Sequence, residues 1–360
     1  MPLPIALDYR PALLSRAGIG RATRELARAL ADANQVDVHL FGHSLAPARV
    51  KSEIPPQAHL HRLPIAGRAL PWLRRLGIGA DQLAGNARVF HWTDYVQPPV
   101  KRARTVLTVH DLAFVRNPAW HGQHANELKE RTQRAIASAD ALVVPSTTTA
   151  NDVNAFAPDA PPMQVIPFGA DHVPQSSGPN PFGGRDYALC VGTIEPRKNH
   201  RALLAAWRQL KAPRPLLVVV GAIGWDCQDI VADLKSAERE GIVQWRQHCT
   251  DDELWPLLQH ARLLAYPSLW EGFGFPPLEA MALGVPVVAH HTDPLRELGD
   301  EALTLADATD PDALTLAIDR VLHDEDHRQR HITAGRKRSK SFVWRECAAA
   351  HAELYREVAT

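Results

Sequence analysis

Cysteine is scarce, and no two of the four stand close enough to act together. Cys190, Cys227, Cys249 and Cys347 form no Cys-x-x-Cys pair. That argues against a disulfide-stapled scaffold or a structural zinc site and leaves them as small hydrophobes in a reducing compartment. Long apolar runs are missing as well. No stretch of about 18 apolar residues occurs, so no membrane-spanning helix is expected. The opening, Met-Pro-Leu-Pro-Ile-Ala-Leu-Asp8, lacks the basic and long apolar segments of a signal peptide, and the cytoplasm is the expected location. Neither sign of charge is in excess, with 40 Lys and Arg against 40 Asp and Glu, which removes any global attraction to nucleic acid. That balance conceals a gradient. Residues 1–170 carry 19 basic against 13 acidic side chains, a net of +6, and the remainder carries 21 against 27, a net of −6. A basic first half suits an anionic surface or acceptor, and equally an ordinary solvated face.

What is present reads as a soluble globular chain. Its 360 residues, 45% hydrophobic and 22% charged, suffice for two or three domains with their own cores. Short apolar runs near residues 3–8, 36–41, 89–92, 105–109 and 141–145 alternate with stretches of helical period, which predicts a doubly wound parallel sheet over residues 1–171. Residues 172–185, rich in Pro, Gly and Asn, read as a linker. A second α/β domain is expected over 186–341, and 342–360 as a closing helix. Residues 60–85 are unusual: His61, Arg62, Arg68, Arg74 and Arg75 interleave with Leu63, Ile65, Leu70, Trp72, Leu73, Leu76 and Ile78. The favoured reading is a core-facing helix with solvated arginines. The other is a basic amphipathic surface, residues 62–78, that contacts an anionic membrane, here the cytoplasmic face of an inner membrane.

The most informative stretch is residues 264–289, LAYPSLWEGFGFPPLEAMALGVPVVA. It reads as strand end, glycine loop, helix, tight stop and next strand. Pro276 and Pro277 suit a helix's first turn, Gly284 a left-handed cap, and Pro286 prevents continuation. The loop Glu271-Gly-Phe-Gly274 therefore lies at the carboxyl end of a strand and opens onto a helix N-terminus, where phosphates bind in α/β proteins. Glu271 and Glu279 frame it with seven residues between them. Glu279 alone is also explained as the third helical residue of a capping box. A second motif, Glu195-Pro-Arg-Lys-Asn199, follows the first strand of the second domain. Arg197 and Lys198 there oppose a helix dipole, a local cost that points to an anionic ligand such as a diphosphate.

These motifs resemble the donor-site signature of retaining GT-B glycosyltransferases, and within them family 4, especially its mannosyltransferases. The resemblance implies two Rossmann-like doubly wound domains facing a central cleft, with the C-terminal helix packing back across both. It implies a nucleotide-sugar donor, with Arg197 and Lys198 on its diphosphate, the amides of Gly272, Phe273, Gly274 and Phe275 beside them, Glu271 at sugar hydroxyls and Glu279 at the ribose. In the family a glycine loop after the first strand faces the donor or acceptor; here it is Gly18-Ile-Gly20-Arg21, with Ala17 where a glycine often stands. Gly20 is the candidate, and packing alone explains it equally well. His110 and Asp111 end a strand. The residues leave acid/base chemistry, metal ligation and a structural corner open; the resemblance favours His110 as catalytic and Asp111 near the donor sugar.

The expected function is retaining transfer of a hexose, best mannose from GDP-mannose, to a glycan or lipid-linked glycan in polysaccharide or O-antigen assembly. No cofactor or metal is expected. The alternatives are a non-catalytic nucleotide-sugar-binding protein on the same fold and a transferase using a UDP-, ADP- or dTDP-sugar. Competing signals are weaker. Asp324-Glu-Asp326 matches the Asp-x-Asp of metal-dependent GT-A transferases but reads as a solvated acidic turn. His290-His291 has no carboxylate or cysteine at ligand spacing. Ser146 lacks a nucleophile elbow.

Overall fold

A computed structural model describes residues 2–16, 18–45, 54–176 and 178–360; Ala17, Ser177 and the side chains of Arg68 and Pro71 lie outside the described set. The chain divides into two compact units, one of Met1–Val115, Asn126–Gly169 and Val343–Thr360, the other of Arg116–Ala125 and Ala170–Phe342.

Among the described residues, the first unit is built on seven parallel strands: β1 (Leu3–Asp8), β2 (Val36–His43), β3 (His59–Leu63), β4 (Val89–Trp92), β5 (Arg104–Thr108), β6 (Ala141–Val144) and β7 (Met163–Val165). Their order is β3-β2-β1-β4-β5-β6-β7. Helices cover both faces of such a sheet, so inner strands carry near-continuous apolar runs; all of β4 and β6 is buried. Phe41, Phe90, Leu107, Leu142 and Val153 belong to one core cluster. The helix Gly18–Ala33 buries Leu26, Ala27 and Leu30. The last helix, Trp344–Val358, belongs to this unit and packs on that helix and on β5, where Tyr355 Oη lies 2.7 Å from His91 Nδ1.

Residues 60–85 do not form the expected core-facing helix. They give β3, a short 3-10 turn and two brief helices, Leu70–Arg75 and Ala80–Leu83. Trp72 and Leu76 are 62% and 70% exposed, and the Arg75 guanidinium sits 5.2 Å over the Trp72 ring. Three glycines within 67–79 break the pattern before its apolar positions can line one face.

The second unit has six parallel strands among the described residues: β8 (Tyr187–Val191), β9 (Leu216–Val220), β10 (Val243–Arg246), β11 (Leu263–Tyr266), β12 (Val287–His290) and β13 (Thr304–Ala306). They run β10-β9-β8-β11-β12-β13. Trp207, fully buried against this sheet's core, satisfies its indole N–H on Pro215 O at 3.2 Å. In each unit the chain starts mid-sheet, builds outward on one side and returns to build the other. The reversal falls between β1 and β4 in the first unit and between β8 and β11 in the second, and ligand crevices of open α/β sheets form at such points.

Candidate active site

The two strongest sequence motifs leave the two strands that flank the second unit's reversal. Arg197 and Lys198 follow β8, and Glu271 follows β11. The structure brings them together. Lys198 Nζ and Glu271 Oε1 form a close ion pair, Arg197 Nη1 lies 3.0 Å from Glu271 Oε2, and Arg197 Nη2 lies 2.8 Å from Glu195 Oε1. Arg197 also donates to Trp270 O at 2.5 Å, and the Ser268 hydroxyl donates to Glu271 Oε1. Asn199 turns the chain into the next helix in the left-handed conformation, φ 56°, with its amide on Ala308 O at 2.7 Å.

These four charged side chains are largely buried, and burial opposes ionisation. For Glu271 the positive charges of Arg197 and Lys198, with hydrogen bonds from Lys198 and Ser268, outweigh that opposition and bring its pKa down to about 2. Burial dominates for Glu195, whose pKa is raised despite Arg197 and Lys198. A buried ion network of this kind is poor evidence for stability, because desolvation offsets most of the attraction. What it does is hold two cations in fixed positions at a strand end. Both Glu271 oxygens are engaged, so its first task is to seat those cations.

The glycine loop leads into the helix Phe275–Leu283. Gly274 has φ 104°, and a Cβ there would meet Leu295 Cδ2 at 2.8 Å, so no other residue fits without strain. Because the helix begins at Phe275, Pro276 and Pro277 occupy its second and third positions and remove two of the amides a helix start presents. Glu279 is the fifth helical residue rather than the third, so it is not a capping-box glutamate. It is buried, and His172 Nε2 lies 3.2 Å from its Oε1. Gly284 ends the helix with φ 75°.

Sequence reasoning missed several neighbours. Ser268, three residues before Glu271, was within reach of a closer local reading. His172 sits in the stretch taken as linker. Arg116, from the excursion Arg116–Ala125, places its guanidinium 4.2 Å over the Trp270 ring, and nothing in the sequence marks that pairing.

The first unit holds its own polar cluster at the ends of β1, β4 and β5. Arg10 pairs closely with Asp94, and its backbone N–H donates to Asp8 Oδ1 at 3.2 Å. Thr93 Oγ1 donates to Asp8 O at 2.5 Å. His110 Nε2 lies 2.9 Å from Thr93 O, an arrangement that puts the proton on Nε2 and leaves Nδ1 as acceptor; its ring stacks on Phe168, and burial lowers its pKa. Asp111 Oδ1 accepts from Ala113 N–H at 2.9 Å, and Tyr95 Oη donates to Asp111 O at 2.6 Å. Asp8 is fully buried, and burial raises its carboxyl to about 7. His43, buried at the end of β2, is lowered to about 4 by burial and by the Arg10 charge. Asp8 Oδ2, Arg10 Nε and both ring nitrogens of His43 have no hydrogen-bond partner. Arg10, His43, Ser44 and Arg131 line a cavity of about 420 Å³ here. Gly20 serves packing: a Cβ would lie 2.2 Å from Ser15 O and 2.8 Å from Pro11 O.

The weaker signals resolve simply. Asp324 caps the helix Glu325–Ser339, its Oδ1 accepting from His327 N–H at 2.9 Å. Ser146 caps the helix Thr147–Phe156 through Thr149 N–H at 3.1 Å.

Comparison with known proteins accounts for both halves. The model of Glycosyl transferases group 1 matches residues 175–338, and that of Glycosyltransferase Family 4 matches residues 16–173. The chain belongs to the family 4 glycosyltransferases. The family fold is GT-B, and the chain is a glycosyltransferase. It is similar to the O-antigen chain mannosyltransferase B of Escherichia coli, 28% identical over 94% of this chain and 96% of that one. An MMP alpha-(1->4)-mannosyltransferase of Mycolicibacterium hassiacum is 29% identical over 78% of this chain and 68% of its own length. Among solved structures, the sucrose-phosphate synthase of Thermosynechococcus elongatus aligns with a TM-score of 0.79 at 22% identity, covering 99% of both chains. Anabaena HepE in complex with UDP and glucose aligns at 0.76 and 16%, covering 99% of this chain and all of that one. At these identities both describe the family 4 fold. No helix among the described residues is long and apolar enough to cross a membrane.

Proposed function

We propose that this glycosyltransferase moves a hexose, with retention, from a nucleotide sugar to a glycan or lipid-linked glycan acceptor in polysaccharide or O-antigen assembly. The observation that carries the reading is the pair Arg197 and Lys198, seated by Glu271 at the reversal of the second unit's sheet. Breaking the bond between the anomeric carbon and the diphosphate oxygen adds negative charge to the leaving nucleoside diphosphate. Fixed cations and the amides of Gly272–Phe275 stabilise that charge without reorganising. The acceptor hydroxyl bonds to the anomeric carbon on the same face, and its proton passes to a leaving phosphate oxygen. Two side-chain cations give the diphosphate its counter-charge, so a divalent ion is not required for this step. Glu279, oriented by His172, takes the ribose hydroxyls.

Mannose from GDP-mannose is the proposed donor, supported by the mannosyltransferases among the relatives; the UDP complexes of HepE make UDP-sugars the competing choice. In the first unit, Asp8, Arg10 and His43 offer unpartnered donors and acceptors together, a mixture suited to sugar hydroxyls. His110 Nδ1 adds an acceptor. Exposed Trp72 and Leu76, with Arg74 and Arg75 beside them, suit a membrane surface bearing a lipid-linked acceptor; Trp72→Ser should weaken sedimentation with phosphatidylglycerol vesicles, and unchanged sedimentation removes that part. The decisive test is a thermal-shift panel of GDP, UDP, ADP and dTDP with their sugars. A nucleotide at 100 times its Kd stabilises the fold by about 2.7 kcal/mol. GDP and GDP-mannose should give the largest shifts, and a protein that none of the four stabilises would not be a nucleotide-sugar transferase.

A further inference from the structure

One histidine pair takes no part in the proposed transfer. His290 ends β12 and His291 follows it, and the sequence alone does not show which carboxylate meets them. The sheet supplies one. Strands β12 and β13 run parallel with His290 opposite Ala306, so Asp307 leaves the sheet beside the two imidazoles. One ligating atom from each of His290, His291 and Asp307 lies within 4.8 Å of the others, and His290 Nδ1 is 3.9 Å from Asp307 Oδ1. Ligands of one zinc-sized ion, each at roughly 2.0–2.1 Å, stand about 3.3 Å apart. Modest side-chain rotation closes the remaining gap.

The surroundings hold these groups in place. His291 Nδ1 lies 3.2 Å from Ala306 O, so it donates there and presents Nε2 as the lone pair. That is the arrangement by which a backbone carbonyl fixes the tautomer of a metal-bound histidine. His290 Nδ1 accepts from Ala308 N–H at 3.1 Å and faces Ala306 O at 3.4 Å, so its ring can carry its proton on either nitrogen. The two rings meet edge to face with centroids 4.6 Å apart. Asp307 Oδ1 accepts from the backbone and hydroxyl of Thr309 at 2.9 and 2.6 Å, which orients the carboxylate. His291 and Asp307 are exposed, so an ion has an open path and positions for water.

We propose that His290, His291 and Asp307 form a binding site for a divalent transition-metal ion. Two imidazole nitrogens and one carboxylate oxygen select zinc, nickel, cobalt or copper over magnesium or calcium, which require more oxygen ligands. None of the three residues belongs to the donor constellation, so the site is separate from the transfer chemistry. It is nevertheless tied to it: the turn after Asp307 carries Ala308, whose carbonyl holds the side chain of Asn199, next to Lys198.

The test uses the full chain, stripped with a chelator and titrated with Zn²⁺ by calorimetry, with Mg²⁺ as the control ion. One saturating equivalent of Zn²⁺ and no Mg²⁺ uptake are expected. His291→Ala and Asp307→Asn alter exposed side chains, so their unfolding temperatures should stay near that of the parent, and each should weaken Zn²⁺ at least tenfold. His323→Ala, at an exposed histidine elsewhere, should leave the isotherm unchanged. Zn²⁺ uptake that survives both ligand substitutions, or no saturable uptake by the parent, overturns the proposal.

Discussion

Two buried carboxyl groups, Glu271 in the second unit and Asp8 in the first, are treated in opposite ways. Asp8 ends β1 and Glu271 follows β11, each strand lying beside the point where its sheet reverses. Glu271 is surrounded by Arg197, Lys198 and Ser268 and is held ionised, with a pKa of about 2. Asp8 has its Oδ1 on the Arg10 backbone, its Oδ2 without a partner and a pKa of about 7, because burial outweighs the lowering by the Arg10 charge. The second unit is thus prepared for a large localised negative charge, with its cations already placed. The first is prepared for something weakly charged and rich in hydrogen bonds. That contrast suits the proposed transfer, in which a leaving diphosphate gains negative charge and an acceptor offers hydroxyls.

Removing one of the seated cations should have the largest effect. Lys198→Ala leaves Glu271 paired with Arg197, so the loop keeps most of its shape. It removes a charge whose value rises as the diphosphate departs. The expected loss in kcat is roughly 10²–10³-fold, on the scale of losing one preorganised donor at a developing anion, with a smaller loss in nucleotide affinity. Steady-state kinetics beside nucleotide binding separates the two. An equal loss in both would mean that Lys198 serves only ground-state binding, and the contrast between the units would lose its chemical meaning.

This half of the comparison was largely legible in the sequence. Gly274, Pro276, Pro277 and Gly284 sit within eleven residues, and their backbone demands are local, so strand, loop, helix and cap follow from order alone. Arg197 and Lys198 were recognisable because two cations beside a helix start are locally unfavourable. The other half was hidden. Arg10 meets Asp94 across 84 positions, a pairing set by β1 lying next to β4 rather than by any spacing in the chain. Asp307 reaches His290 by the same kind of register. Residues 60–85 misled because charge and apolarity alternate there at helical spacing while the glycines cut the helix short.

Asp8 offers the second test, through pH. Its folded pKa lies above its unfolded value of 3.8, so its contribution to stability is fully present below about pH 4 and is lost as pH rises through 7. Above that the folded chain carries a buried charge. Asp8→Asn removes the titration. It should match the parent at pH 4 and exceed it by about 2–4 kcal/mol at pH 8. Glu271 has the opposite sign: its contribution is present above its unfolded value of 4.5 and is lost as pH falls toward 2. Denaturant titrations of parent and Asp8→Asn at pH 4, 6 and 8 read this directly. A stability difference that does not change with pH would place Asp8 as a ion-paired group like Glu271.

The smallest effect sharpens the comparison most. His43 is 1% exposed with neither ring nitrogen bonded, and a pKa of about 4 makes it neutral at physiological pH. A buried donor or acceptor left unmade costs about 1–3 kcal/mol, which a fold has no reason to retain unless a ligand fills the vacancy. His43→Leu replaces the imidazole with an apolar group of similar size. It should raise stability by about 1 kcal/mol, since replacing an unmatched polar group is neutral or stabilising. Once a donor and acceptor pair is in hand, it should raise the KM for the acceptor about tenfold, the worth of one hydrogen bond, with donor KM unchanged. If stability falls and acceptor KM does not move, the imidazole is structural, and the hydroxyl-binding role of the first unit fails while the cation pair of the second stands untouched.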